Sequence, residues 1–184
     1  MTDLQPNDGP KFKLGIIGCG QVGTSFLTKL LEVKEQFHNL EIWVSTRQPH
    51  LLRPFKQEFG IHVFFDNAKI AANCDLIFLC CLPNQTQEVF KDIREILSER
   101  AALSITDSKY INPLVVSTCA AMSYPKLRQS LKSALLLRTS IDVSMLREYL
   151  FKAQTIARNG ETSAEIDKWK QNEEQFKYMD RVLS

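Results

Sequence analysis

An α/β fold with a doubly wound, mainly parallel sheet is predicted by three features of this 184-residue chain. Short apolar, β-compatible segments alternate with amphipathic helical stretches through the first two thirds. Residues 76–82 are continuously apolar, as in a parallel strand covered by helices on both faces. A glycine-rich turn, Gly18-Cys19-Gly20-Gln21-Val22-Gly23, sits between the first strand and the first helix.

The elements follow in order. Residues 12–17 form the opening strand, and the helix after the glycines carries Val22, Phe26, Leu30 and Val33 on one face, with Leu27 and Leu31 alongside, ending near residues 37–39. A second strand at 40–44 runs into Ser45-Thr46-Arg47-Gln48-Pro49, where proline stops extended pairing. A helix at 51–59 stops at Gly60, a third strand covers 61–65, and a short helix covers 67–72. The strand at 76–82 takes the sheet centre and ends at Pro83-Asn84. A helix at 85–97 then shows Val89, Ile93 and Ile96 on one side. Two β-compatible pieces, 101–106 and 114–120, compete for the place beside the central strand, separated by the polar stretch 107–112. Past Arg138 strand signals vanish, and two polar helices are expected on either side of Asn159-Gly160. Thr162-Ser163-Ala164-Glu165 has capping-box spacing. The stripe of Ile166, Trp169, Phe176, Met179 and Leu183 needs a partner, either the main domain or a second subunit in a homo-oligomer. The expected organisation is a disordered leader at 1–11, a nucleotide-binding domain at 12–138 and a helical extension at 139–184.

Composition bounds the function. Hydrophobic residues make up 44% and charged residues 24%, the balance of a globular protein, and the net charge of +2 recruits neither nucleic acid nor an anionic membrane. No apolar run approaches the roughly 20 residues that span a bilayer, and the N-terminal residues lack the layout of a secretory signal. Five cysteines without CxxC spacing read as reduced thiols, so a cytoplasmic location is expected. The three histidines have no partners at ligand spacing, so no metal is expected.

The glycine turn fits G-x-G-x-x-G at every position, between a strand and a helix, with a second strand at the expected distance. The first glycine permits the tight turn, the second lets a pyrophosphate approach the backbone, and the third lets helix pack on strand. Backbone amides at the helix start, with its dipole, favour the anion. The fold is therefore read as Rossmann-like and the ligand as a dinucleotide. At the end of the second strand an NAD site usually places a carboxylate. Ser45, Thr46 and Arg47 stand there instead, two hydroxyls and a guanidinium that match the extra phosphate of NADP(H). Asp107-Ser108-Lys109-Tyr110 has lysine directly before tyrosine rather than one helical turn after it, and is read as a polar loop. Cys80 and Cys81, adjacent on a strand, are expected to face opposite sides and to pack in the core. Cys19, beside a helix N-terminus, is expected to have a lowered thiol pKa.

Residues 14–23, Val44-Ser45-Thr46-Arg47 and Ile77-Phe78-Leu79-Cys80-Cys81-Leu82-Pro83 together resemble the pyrroline-5-carboxylate reductase family, over roughly residues 12–138. The resemblance implies cofactor contacts at Thr46 and its neighbours on the 2′-phosphate side and at Asn67 on the adenosine side. It implies further contacts at Cys80, Cys81, Leu82 and Pro83 in the turn near the cofactor, and at Cys119, Ala120 and Ala121 beside the nicotinamide. Leu82 stands where the family has lysine, and Met122 where it has glycine. The family's all-helical substrate and dimerisation domain would not fit in the residues after Arg138. Two functional classes follow: an NADP(H)-dependent oxidoreductase domain that transfers hydride to a small imine-type substrate, or a non-catalytic dinucleotide-binding regulatory or interaction protein. No catalytic residue is assigned in either.

Overall fold

The computed structural model describes residues 10–37, 39–119, 122–132 and 135–140. The expected leader lies almost wholly outside the described residues, as do the helices expected beyond residue 140. Six strands form one sheet, β1 (Phe12–Ile17), β2 (Leu40–Ser45), β3 (His62–Phe64), β4 (Leu76–Leu79), β5 (Leu114–Ser117) and β6 (Leu136–Arg138), in the order β3-β2-β1-β4-β5-β6. Every pairing is parallel. This is the Rossmann strand order, with its reversal point between β1 and β4.

Helices cover both faces. On one side α1 (Gln21–Val33) and α2 (Arg53–Phe59) bury Leu27, Leu31 and Phe55 against Leu14, Ile16, Ile42 and Val44. On the other, α3 (Asn67–Asn73), α4 (Thr86–Thr106) and α5 (Tyr124–Leu131) bury Ile70, Ile93, Leu97, Leu127 and Leu131 against Ile17, Ile77, Leu79 and Val115. Alternate residues of β1 serve the two layers, as strand geometry requires. Gly15 lies where α3 crosses β1: a methyl group there would stand 2.3 Å from Ile70 Cγ2 and 2.9 Å from Cys74 Sγ. Arg100 locks the far end of that layer, donating to the carbonyls of Ala71 (2.8 Å), Cys74 (2.6 Å) and Ile111 (3.2 Å).

The structure corrects several expected boundaries. Residues 101–106 are not a strand but the last turns of α4, which has no internal proline or glycine and runs on through Ala101 and Ala102, the strongest helix formers. Thr106 and Ser104 donate back to the carbonyls of Leu103 and Ala101 within it. The strand beside β4 is therefore β5, from the second candidate piece. The central strand stops at Leu79, so Cys80 to Leu82 lie past the sheet edge. Helix α1 ends at Val33 in a 3-10 turn over Lys34–Gln36, short of residues 37–39. Another 3-10 turn, Pro49–Leu52, precedes α2, which ends as expected at Gly60 in the left-handed region (φ 64°). Helix α5 and edge strand β6 were not anticipated. Among the described residues no helix is long and apolar enough to cross a membrane.

Candidate dinucleotide site

Because every strand runs the same way, the residues that follow Ile17, Ser45, Leu79 and Ser117 all emerge at one edge of the sheet, the carboxyl edge where such folds bind ligands. The glycine loop occupies the reversal point itself. Gly18 adopts φ 87°, and a Cβ on it would meet the backbone of Cys81 at 2.9 Å to N and 3.0 Å to Cα. Its N–H donates to Ser45 O at 3.1 Å. One residue thus touches both the end of β2 and the segment past β4. A Cβ on Gly23 would lie 2.3 Å from Gly18 O, so the third glycine is needed for α1 to seat on the loop. Gly20 is different: apart from its own chain neighbours, nothing among the described residues lies within 4 Å of where its Cβ would be. The N-cap residue of α1 is Gly20, which has no side chain to cap with, and the first turn holds no acidic residue. The helix start is therefore left to an anion, next to a position with room for one.

Cys19 lies within the loop with Sγ 3.4 Å from Thr24 Oγ1. Burial pushes its thiol up to about 12, with the Thr24 contact opposing. This overturns the expected lowered pKa. The residue is only half-buried as a whole, but loss of hydration at its sulfur outweighs the Thr24 hydrogen bond.

At the end of β2 the predicted triplet divides. Ser45 is fully buried, and its hydroxyl donates to Asn67 Oδ1 at 2.8 Å, so it supports the site rather than facing a ligand. Asn67 in turn donates through Nδ2 to Asp92 Oδ2 at 3.1 Å. Thr46 Oγ1 accepts from Gln48 N at 3.1 Å, and its own hydroxyl hydrogen remains to donate outward. Arg47 is exposed and ion-paired with Glu88 of α4. Glu88 and Asp92 are the residues that sequence reasoning missed. They sit four apart on one face of α4, a legible spacing, but only the packed structure brings that face to β2.

Past β4, Cys80 and Cys81 do face opposite layers, each 7% exposed, so only their backbone can line the site. Leu82 and Pro83 are exposed. Cys119, past β5, is buried with its Sγ 3.8 Å from Cys81 Sγ. Ala120 and Ala121 lie outside the described residues. Ser45, Cys80 and Cys81 thus touch the glycine loop directly, and Asn67 and Cys119 are in contact with Ser45 and Cys81 in turn.

A Rossmann domain whose reversal point carries an uncapped helix start, an open second glycine and an arginine at the end of β2 is a dinucleotide-binding domain of the oxidoreductase type. Comparison with known proteins makes this specific. The family described as "NADP oxidoreductase coenzyme F420-dependent" matches residues 13–108, just over half the chain, and the chain belongs to that family. NADP-dependent oxidoreductase domain-containing protein 1 of Mus musculus is 32% identical over 126 residues, 68% of this chain and 30% of that protein. Pyrroline-5-carboxylate reductase 1 of Dictyostelium discoideum is 24% identical over 119 residues, 65% of this chain and 19% of that protein. The chain thus spans less than a third of either relative's length. Among solved structures, the Plasmodium falciparum pyrroline carboxylate reductase with NADP bound shares the fold at a TM-score of 0.53 and 19% identity, covering 76% of this chain and 46% of that one.

Proposed function

We propose that this chain is an NADP(H)-binding oxidoreductase domain similar to pyrroline-5-carboxylate reductase and that it serves reduction of a small imine-type substrate. The observation that carries the reading is the empty space at Gly20 beside the uncapped start of α1. The residues present fit the cofactor. Backbone amides of the α1 first turn receive the pyrophosphate, and the absence of a Cβ at Gly20 lets it approach. Thr46 and Arg47 hold the 2′-phosphate, with the guanidinium turning from Glu88 to do so. Asn67, fixed by Ser45 and Asp92, lines the adenosine side. The backbone of Cys80 to Pro83 and the buried end of β5 at Cys119 line the other end. When bound, NADPH supplies the hydride; the protein contributes binding and orientation. The five free cysteines support a reducing compartment such as the cytosol.

The test is titration with NADPH and NADH by nucleotide fluorescence, followed by NADPH oxidation in the presence of cyclic imines such as pyrroline-5-carboxylate. Tighter binding of NADPH with imine-dependent turnover is expected. Failure to bind either nucleotide would end the reading, and binding without turnover on any imine would end its catalytic half.

A further inference from the structure

Neither the cofactor site nor the comparisons assign a role to the thiol pair at the carboxyl ends of β4 and β5. The strands pair Leu79 with Ser117 as their last partners. Continuing that register by two residues places Cys81 beside Cys119, beyond the regular ladder, where the backbone is not held by sheet hydrogen bonds on both sides. Neighbouring strands lie about 4.8 Å apart, inside the Cα separation of about 4.4–6.8 Å that a disulfide accepts. The sulfurs already touch at 3.8 Å, and Cys119 Sγ is 3.3 Å from Cys81 O, a carbonyl that accepts from the neutral thiol. Ser117 Oγ, at the last position of β5, accepts from Cys119 N at 3.2 Å and fixes the turn that presents the sulfur. On ionisation of Cys119 the Cys81 thiol can donate to it across the 3.8 Å contact, and that hydrogen bond holds Cys119 below the ordinary thiol value. The contact places each sulfur where it can resolve oxidation of the other, here with Cys119 oxidised first. Cys80, one residue away, faces the other layer and has no part in this.

We infer that Cys81 and Cys119 are a peroxide-sensitive dithiol whose closure to a disulfide disturbs the phosphate loop. In the first step Cys119 thiolate attacks a peroxide: an S–O bond forms, the O–O bond breaks, and the leaving oxygen takes up a proton as water, giving a sulfenic acid. In the second, Cys81 sulfur attacks Cys119 Sγ: the S–S bond forms, the S–O bond breaks, and the hydroxyl leaves as water with the Cys81 proton. The two thiols are oxidised by two electrons and the peroxide is reduced. Shortening 3.8 Å to a bond of about 2.05 Å draws the Cys81 segment toward β5. That segment is the wall against which Gly18 packs with no room for a methyl group, so its movement alters the seat of the pyrophosphate. This second consequence rests on the cofactor reading; the bond itself does not.

The experiment exposes the full chain to hydrogen peroxide at neutral pH and quenches it in acid. It then alkylates under denaturing conditions before and after reduction, with two mass labels. The expected result is the second label on Cys81 and Cys119 alone, reversed by dithiothreitol pretreatment and lost in both Cys81→Ser and Cys119→Ser. First-label modification of both thiols, or sulfinic acid on Cys119 with Cys81 free, overturns the dithiol. NADPH titration of reduced and oxidised protein reads the coupling. A several-fold weaker affinity after oxidation, absent in peroxide-treated Cys81→Ser, is expected, and a cross-link with unchanged affinity overturns it. A reduced protein that fails to bind NADPH counts against the cofactor assignment and leaves the cross-link standing.

Discussion

The sharpest test of the 2′-phosphate site is the pair Arg47 and Glu88. Both side chains are exposed, at 58% and 67%, so their ion pair is worth at most about 1 kcal/mol and yields readily to a better partner. A charge-assisted hydrogen bond from arginine to phosphate contributes about 1.5–3 kcal/mol, the lower half applying at so open a position. After release from Glu88, Arg47 is left contributing about 1–2 kcal/mol, or roughly five- to thirtyfold, to NADPH over NADH. Arg47→Glu removes that and sets a carboxylate against a phosphate of charge about −1.5 to −2. At about 6 Å in water-like surroundings this adds about 1 kcal/mol of repulsion. NADPH affinity is then expected to fall roughly 30- to 150-fold and NADH by less than about threefold. Arg47→Gln, which creates no clash with Glu88, is expected to lose only the first part. Glu88→Gln works in the opposite sense: freeing the guanidinium strengthens NADPH by roughly two- to fivefold and leaves NADH unchanged. Fluorescence titrations at two salt concentrations measure each of these affinities. Equal weakening of both nucleotides by Arg47→Glu, or a tighter NADH in Glu88→Gln, would refute the assignment.

Three further outcomes follow from the geometry. Gly20→Val projects into open space, so thermal stability is expected to hold while NADPH binding is lost; Gly23→Ala, 2.3 Å from Gly18 O, is expected to lower stability by about 1–3 kcal/mol through overpacking, read by urea unfolding. Arg100→Met strands the buried carbonyls of Ala71 and Cys74 and is expected to cost about 2–4 kcal/mol in the same assay, with NADPH affinity of the folded fraction unchanged. The thiols of Cys19, Cys74 and Cys80 are all raised by burial from the ordinary 9.0 to about 12. The unfolded chain therefore ionises first as pH climbs, and the stability these thiols contribute, complete below about pH 9, drains away between there and about pH 12. Unfolding midpoints measured at pH 8 and pH 10 are expected to fall, less steeply in Cys74→Ala than in the parent, and a flat profile would contradict the buried placement.

What the sequence made legible was chemistry written in neighbours. The strand, glycine turn and helix at 12–33 are adjacent in the chain, and each glycine's need is local, so position and purpose could both be read. Residues 101–106 went wrong because alternating Ala, Leu, Ser and Ile suits either period, and the deciding contacts, Arg100 on Ala71 and Cys74, reach back some 26 to 29 positions. Helix α5 carried a usable signal, Ser123 at the cap position with Pro125 in the first turn and buried Leu127 and Leu131 four apart, whereas β6 is a three-residue edge whose pairing no local pattern announces. The charge on Arg47 was visible, but its counter-ion lies 41 residues further on, and the burial of the Ser45 hydroxyl depends on where α3 docks.

Those distant contacts meet at Gly18. Its N–H is held by the end of β2, and its Cα packs against the segment after β4, so the ends of β2 and β4 meet at one backbone position with a positive φ. An L-residue there would suffer a strained φ and a collision with Cys81 main chain together, and on the β2 side Ser45 is anchored through Asn67 to α4. The same tightness that makes the loop a specific seat for a pyrophosphate transmits any change in the Cys81 segment to it. Cofactor affinity and the state of two buried thiols are therefore coupled by packing rather than by proximity to the reacting atoms.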